Sequence, residues 1–157
     1  MTTCKRDSIY RYTVRRQCVS RASESGLNTP ALTPKDAAVF FHRVWKKLPQ
    51  DRESFVVAMV DARSVITGFE VIAMGSLTGV EVHPREVFKA AVLMSAAAII
   101  VAHNHPSGDP TPSEMDVILT QRLHAASKIL GIPLVDHIVI GVDDSYRAIS
   151  DLAGGLS

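Results

Sequence analysis

Thiols are nearly absent from this sequence. Cys4 and Cys18 are its only two cysteines, both in the N-terminal segment. That excludes a disulfide framework or a Cys-rich zinc module and makes a reducing cytoplasm the expected setting. Long apolar runs are missing as well. The longest, Ala96 to Ala102, spans seven residues, far short of the ~20 a spanning helix needs, so no membrane contact is expected. The first six residues, MTTCKR, have no apolar stretch behind their basic side chains and do not read as a signal peptide. The chain also lacks internal repeats, low-complexity tracts and a strong charge excess, its formal net charge being +1.

What is present suits one globular domain. The 157 residues are 46% hydrophobic and 21% charged, enough to bury a core without cross-links and too apolar for disorder over most of the length. The near-zero net charge hides an asymmetry. Lys5, Arg6, Arg11, Arg15, Arg16 and Arg21 face only Asp7 and Glu24 within residues 1–25, a net of +4 that leaves the body at −3. A solvated strand or tail is the plain interpretation, and an electrostatic arm for nucleic acid, bound weakly and salt-dependently, or for an acidic partner is the sharper one. Residues 1–30 read as an appendage, an edge strand at 9–19 followed by a small polar linker at 20–30. Residues 31–157 read as the compact domain.

Within the domain, Thr33-Pro34-Lys35-Asp36 opens a helix: Thr33 caps, Pro34 suits the first position and Asp36 favours the positive end. Val39, Phe40, Val44 and Leu48 recur at helical spacing, Phe40, Phe41 and Trp45 are expected in the core, and Pro49 stops the run. A buried strand is predicted over 54–60, a turn at 61–64, and a hairpin partner over 65–73. Pro84 opens a second helix to about Ala96, with Val87, Ala91 and Met94 on one stripe. Ala98 to Ala102 reads as a fully buried strand, giving way at His103 to a polar loop that runs to Pro112. A third helix follows to about Leu130, with Leu119, Leu123, Ala126 and Leu130 inward. Strands are predicted over 134–140 and 146–149. The order is that of a mixed α/β layer structure.

The chemistry concentrates between His103 and Asp116, at the carboxyl end of a buried strand, where open α/β sheets place ligands. His103 and His105 are two apart and point to one side of an extended chain. Asp116 lies early in the next helix. If the loop folds back, two imidazoles and a carboxylate converge as three protein ligands, with a fourth tetrahedral position left for water. Pro106, Pro110 and Pro112 stiffen the loop, and Gly108 permits a tight turn. Ser113 can cap the helix or donate to a developing oxyanion.

These residues, His103, His105, Ser113 and Asp116, match the JAMM signature H-x-H-x7-S-x-x-D, and the wording HNHPSGDPTPS resembles the RadC branch of the JAB/MPN metalloprotease-like family. The flanking segments VHPREV at 82–87, AAAIIVAH at 96–103 and DHIVIG at 136–141 are similar too. The resemblance covers about residues 31–150. It implies a curved mixed β-sheet flanked by helices, and a single Zn²⁺ on His103, His105 and Asp116. It also implies a water activated by a glutamate, Ser113 near the scissile carbonyl, and hydrolysis of peptide or isopeptide bonds in a peptide or protein substrate. The helix-hairpin-helix module that precedes this domain in longer members has no counterpart here, which implies a short, mobile-element or prophage type and weakens an inherited claim of DNA binding.

Among Glu53, Glu70, Glu81 and Glu86, the family's glutamate is expected to be Glu53, just before a hydrophobic strand after the first helix. Glu86 is the fallback base, with first-turn helix stabilisation as its ordinary role. Asp136 and His137 open a strand near the metal strand and are candidates to orient a ligand imidazole. His42, His83 and His124 read as surface or packing residues. The alternatives to a zinc peptidase are a DNA-repair-associated or mobile-element module with non-catalytic zinc, and a metal-dependent nuclease.

Overall fold

Strand-forming segments and amphipathic helices alternate along the chain, and the computed structural model, which describes residues 30–75 and 82–151, shows how they stack. The strand expected at 9–19, the linker at 20–29, the basic side chains of residues 5–21, both cysteines and Glu81 lie outside the described residues.

Helix α1 (Pro34–Trp45) starts at a Thr33 cap reciprocated by Asp36. Its inward stripe is Ala37, Phe40, Phe41 and Val44, an i, i+3, i+4, i+7 set, with Trp45 beside it. Val39 falls off that stripe and is exposed. Strands β1 (Ser54–Val60) and β2 (Ile66–Met74) form the expected antiparallel hairpin. Helix α2 (Pro84–Leu93) is capped by His83, whose side chain accepts from the Arg85 amide. It ends short of the expected Ala96, because Ser95 takes a positive φ of 51° and turns the chain.

Strand β3 (Ala98–Asn104) is followed by α3 (Glu114–Leu130), β4 (Leu134–Ile140) and a short β5 (Tyr146–Ala148). His103 and Asn104 belong to the strand rather than to the expected loop. Sheet pairing carries β3 on, with His103 opposite Phe55 of β1 and Val139 of β4. The last strand stops at Ala148, where a 3-10 turn over Ile149–Asp151 takes over. Leu130 is exposed rather than inward, at the end of α3 beside the left-handed Gly131.

The five strands lie in the order β2-β1-β3-β4-β5. Only β3 and β4 run parallel, joined through α3 as a βαβ unit, so the sheet is mixed. Side-chain alternation divides two cores. Val56, Ala58, Val60, Ile100, Ala102, Ile138 and Ile140 pack towards α1. Phe55, Val57, Met59, Ile99 and Val101 pack towards α2 and α3, against Val87, Phe88 and Leu123. Burying each of the larger of these side chains is worth about 1.5–3 kcal/mol, and the pleat thereby locks which face every β3 residue presents. Among the described residues no helix is long and apolar enough to cross a membrane.

Candidate metal centre

His103 is an odd-numbered β3 residue and therefore faces α3, enclosed with 1% exposure. His105 follows on the loop, half-buried. Asp116 is the third residue of α3, and its place there is set by the way the helix begins. Ser113 Oγ accepts from the Asp116 amide at 3.2 Å. In return, the Ser113 amide and hydroxyl both donate to Asp116 Oδ2 at 2.7 Å. The S-x-x-D spacing is thus a capping box, which satisfies orphan helix donors and fixes the carboxylate's direction in one step.

The box aims Asp116 at the histidines. Its Oδ1 lies 3.1 Å from His103 Nε2 and its Oδ2 3.3 Å from His105 Nε2. The two Nε2 atoms are 3.0 Å apart, and one ligand atom from each residue falls within 4.8 Å of the others. Each imidazole's second nitrogen is already engaged. His105 Nδ1 meets the Asp109 carbonyl at 2.9 Å, and because a carbonyl only accepts, His105 donates there. His103 Nδ1 meets His137 Nε2 at 2.8 Å. Both Nε2 atoms are thereby presented to the centre, the arrangement of metal-ligating histidines. Two imidazole nitrogens and a carboxylate oxygen suit a metal ion of hydrolytic enzymes.

Electrostatics agree with the geometry. Burial pushes the Asp116 carboxyl up, but His103, His105 and Ser113 outweigh it and hold the group well below the usual carboxylate range. The hydrogen bond to Asp116 raises His105 against the opposing effect of burial. Complete burial pushes His137 well below the ordinary imidazole value, which favours its neutral form.

Glu53 stands half-buried immediately before β1. Burial pushes its carboxyl up; the fields of His103 and His105 oppose that and the Asp116 charge adds to it, so the group sits within electrostatic reach of all three. Glu86 does not. It lies on the outer first turn of α2, paired with Lys89 and Arg85, which hold its carboxyl below the ordinary value. Glu70 is exposed on the edge strand β2. Of the two neighbours on β4, only His137 turns to the centre. Asp136 points to the opposite face, accepting from the Ser150 hydroxyl at 2.9 Å and from the His137 amide at 2.7 Å. Strand alternation is the reason, since consecutive residues cannot share a face.

Two further residues, not singled out by the sequence pattern, serve the site. Thr120 sits one turn beyond Asp116 and bonds to His137 Nδ1 at 2.6 Å. Asn104 faces away from the ligands and clamps both sides of Glu53: its Oδ1 accepts from the Ser54 amide at 2.9 Å, and its Nδ2 donates to the Arg52 carbonyl at 3.2 Å. A polar residue inside a buried strand is the available signal for Asn104. Gly108 takes φ +79°, and a Cβ there would come within 2.6 Å of Val142. The loop therefore leans on the β4–β5 turn, where the Val142 amide donates to the Gly108 carbonyl. Beside His105 opens a cleft of about 510 Å³, lined among others by Trp45, Lys46, Asn104, Pro106 and Gly141.

Residues 31–153 match the family model of the RadC-like JAB domain. The chain is 43% identical over 119 residues to a UPF0758 protein of Methanosarcina mazei, covering 76% of this chain and 51% of that one. It is 46% identical over 123 residues to a UPF0758 protein of Staphylococcus carnosus, covering 78% and 52%. A UPF0758 protein of Desulforamulus reducens is 50% identical over 99 residues, covering 63% and 43%. The chain thus spans about half the length of the curated relatives it matches.

Proposed function

This chain belongs to the RadC-like JAB family, and on that premise we propose that it is a zinc-dependent hydrolase of peptide or isopeptide bonds. The observation that carries the reading is the convergence of His103, His105 and Asp116 within 4.8 Å, with the half-buried carboxyl of Glu53 in their field. A zinc ion held by those three residues would supply Lewis acidity and a water acidified to near neutral pH.

The chain's own groups do the rest. Glu53, its carboxyl raised by burial, takes the proton of the attacking water and returns it to the leaving nitrogen. Asn104 holds the backbone on both sides of that glutamate, keeping the carboxyl on the ligands' side. Ser113 has one hydroxyl proton, directed at Asp116 Oδ2. With Asp116 holding a metal, the Ser113 hydroxyl would be free to redirect its hydrogen bond to the scissile carbonyl oxygen. A cytoplasmic setting, with a peptide or protein as substrate, completes the reading.

Three protein donors leave room for water, which argues against a purely structural zinc. The cluster contributes a single carboxylate, whereas paired-metal nucleases use several. The test is metal analysis of protein purified without chelator, followed by cleavage of peptide and isopeptide-linked libraries. About one zinc per chain is expected, with cleavage by wild type and none by Glu53→Gln. Metal-free protein, or equal cleavage by both, overturns the reading.

A further inference from the structure

His103, His137 and Thr120 come from three different elements, β3, β4 and α3, and meet in a chain of hydrogen bonds whose two ends both lie at Asp116. Thr120 Oγ1 lies 2.6 Å from the Asp116 main-chain carbonyl and 2.6 Å from His137 Nδ1. His137 Nε2 lies 2.8 Å from His103 Nδ1. His103 Nε2, at the free end, faces Asp116 Oδ1 at 3.1 Å. One member of this hydrogen-bond chain has no freedom. A carbonyl oxygen only accepts, so Thr120 must donate its single hydroxyl proton to Asp116. Thr120 can then only accept from His137, which places the His137 proton on Nδ1. His137 is wholly enclosed, with 0% exposure, and a second proton on it would bury an uncompensated charge. Its Nε2 is a bare acceptor, and His103 must donate to it from Nδ1.

We propose that Thr120 and His137 are positioning residues that set the proton order of this hydrogen-bond chain, holding His103 as the Nδ1–H form so that Nε2 is free for the metal. The inference rests on the metal-hydrolase reading for its purpose, but its proton order stands on this geometry. Asp116 thereby acts twice, since the residue that supplies the carboxylate also supplies, from its main chain, the acceptor that orders these bonds.

The role predicts a specific failure. Thr120→Val keeps the shape and removes the acceptor. His137 then relieves its buried Nδ1–H by carrying the proton on Nε2. That proton points at His103 Nδ1, and His103 must hold its own proton on Nε2, the atom the metal needs. Thr120→Ser keeps a hydroxyl and restores the order.

The experiment combines imidazole ¹⁵N NMR of the full chain, chelated and zinc-loaded, with competition titration of zinc. In wild type and Thr120→Ser, His137 is expected to carry its proton on Nδ1. Thr120→Val is expected to show the inverted order and zinc binding roughly 10- to 100-fold weaker, with Thr120→Ser close to wild type. A merely structural threonine would change melting temperature and leave both readouts in place. Wild-type proton order or wild-type zinc affinity in folded Thr120→Val overturns the proposal. The wild-type spectrum needs no variant, and a His137 proton on Nε2 in a zinc-binding wild type overturns the relay alone. A wild type that takes up no zinc overturns the relay's purpose and the hydrolase reading together.

Discussion

Two helices of this protein begin with the same local device, and only one of the two beginnings belongs to the candidate metal centre. At α1, Thr33 donates to Asp36 Oδ2 from its amide at 3.0 Å and from its hydroxyl at 2.8 Å, and accepts from the Asp36 amide at 3.2 Å. At α3, Ser113 and Asp116 repeat the pattern at 2.7, 2.7 and 3.2 Å. The first box caps a helix at the surface. The second has two imidazoles standing over its carboxylate, one from the end of β3 and one from the loop. A capping box is therefore not itself chemical. It becomes so when the sheet delivers nitrogen donors to the aspartate that the box has already aimed.

The comparison breaks most visibly at the aspartates. Asp116→Ala is expected to abolish metal uptake and hydrolysis, read by metal analysis and cleavage assay. Asp36→Ala is expected to leave both intact and lower stability by about 1 kcal/mol, the scale of a lost cap. Next in size is the glutamate. Glu53→Gln should retain metal and lose about 10²–10⁴-fold in turnover, whereas Glu86→Gln, at an outer ion pair, should turn over like wild type. Equal losses from the two would move the base away from Glu53.

The serine sharpens the comparison further. Ser113→Ala and Thr33→Ala should each cost about 0.5–2 kcal/mol in chemical denaturation. Only Ser113→Ala should also weaken metal binding in titration, because only its partner, Asp116, belongs to the proposed ligand set. The smallest effect concerns pH, measured as melting temperature of chelated protein between pH 3 and 7. Glu53's carboxyl is raised in the fold by burial. Its contribution is therefore fully present below the unfolded value of about 4.3 and is lost as pH rises through the folded one. Glu53→Gln should gain on wild type as pH rises. Glu86 is lowered by Lys89, so its contribution is present above about 4.3 and lost as pH falls through the folded value. Glu86→Gln should lose against wild type near neutrality and converge with it in acid.

What is legible in the sequence follows the same division. His103, His105, Ser113 and Asp116 are close in the chain, and their spacing on a strand end, a stiff loop and a first helical turn can be reasoned locally. So can the Thr33 cap and the aromatic stripe of α1. Asp136 and His137 pair as candidates because they are adjacent, yet the pleat sends them to opposite faces; only the register of β4 on β3 shows which one meets His103. Thr120 and Asn104 do not stand out locally because their partners lie across the sheet or behind it. Leu130 and the ends of α2 and β3 depart from the local pattern because tertiary pairing and turn geometry decide where elements stop.

The parallel pairing of β3 with β4 carries a kinetic consequence. His103 and His137 are 34 positions apart, and they face each other only after α3 has folded and brought the second strand back beside the first. Non-local pairings of this kind form late, because their loop entropy is lost before the contacts compensate for it. A slip of one residue would set Asp136 or Ile138 where His137 belongs. A chain caught in such a misregistered state would hold His105 and Asp116 beside an unsupported His103. His137 is not one of the three candidate ligands, so such a state would keep that set together and lose only the partner that holds His103 Nδ1.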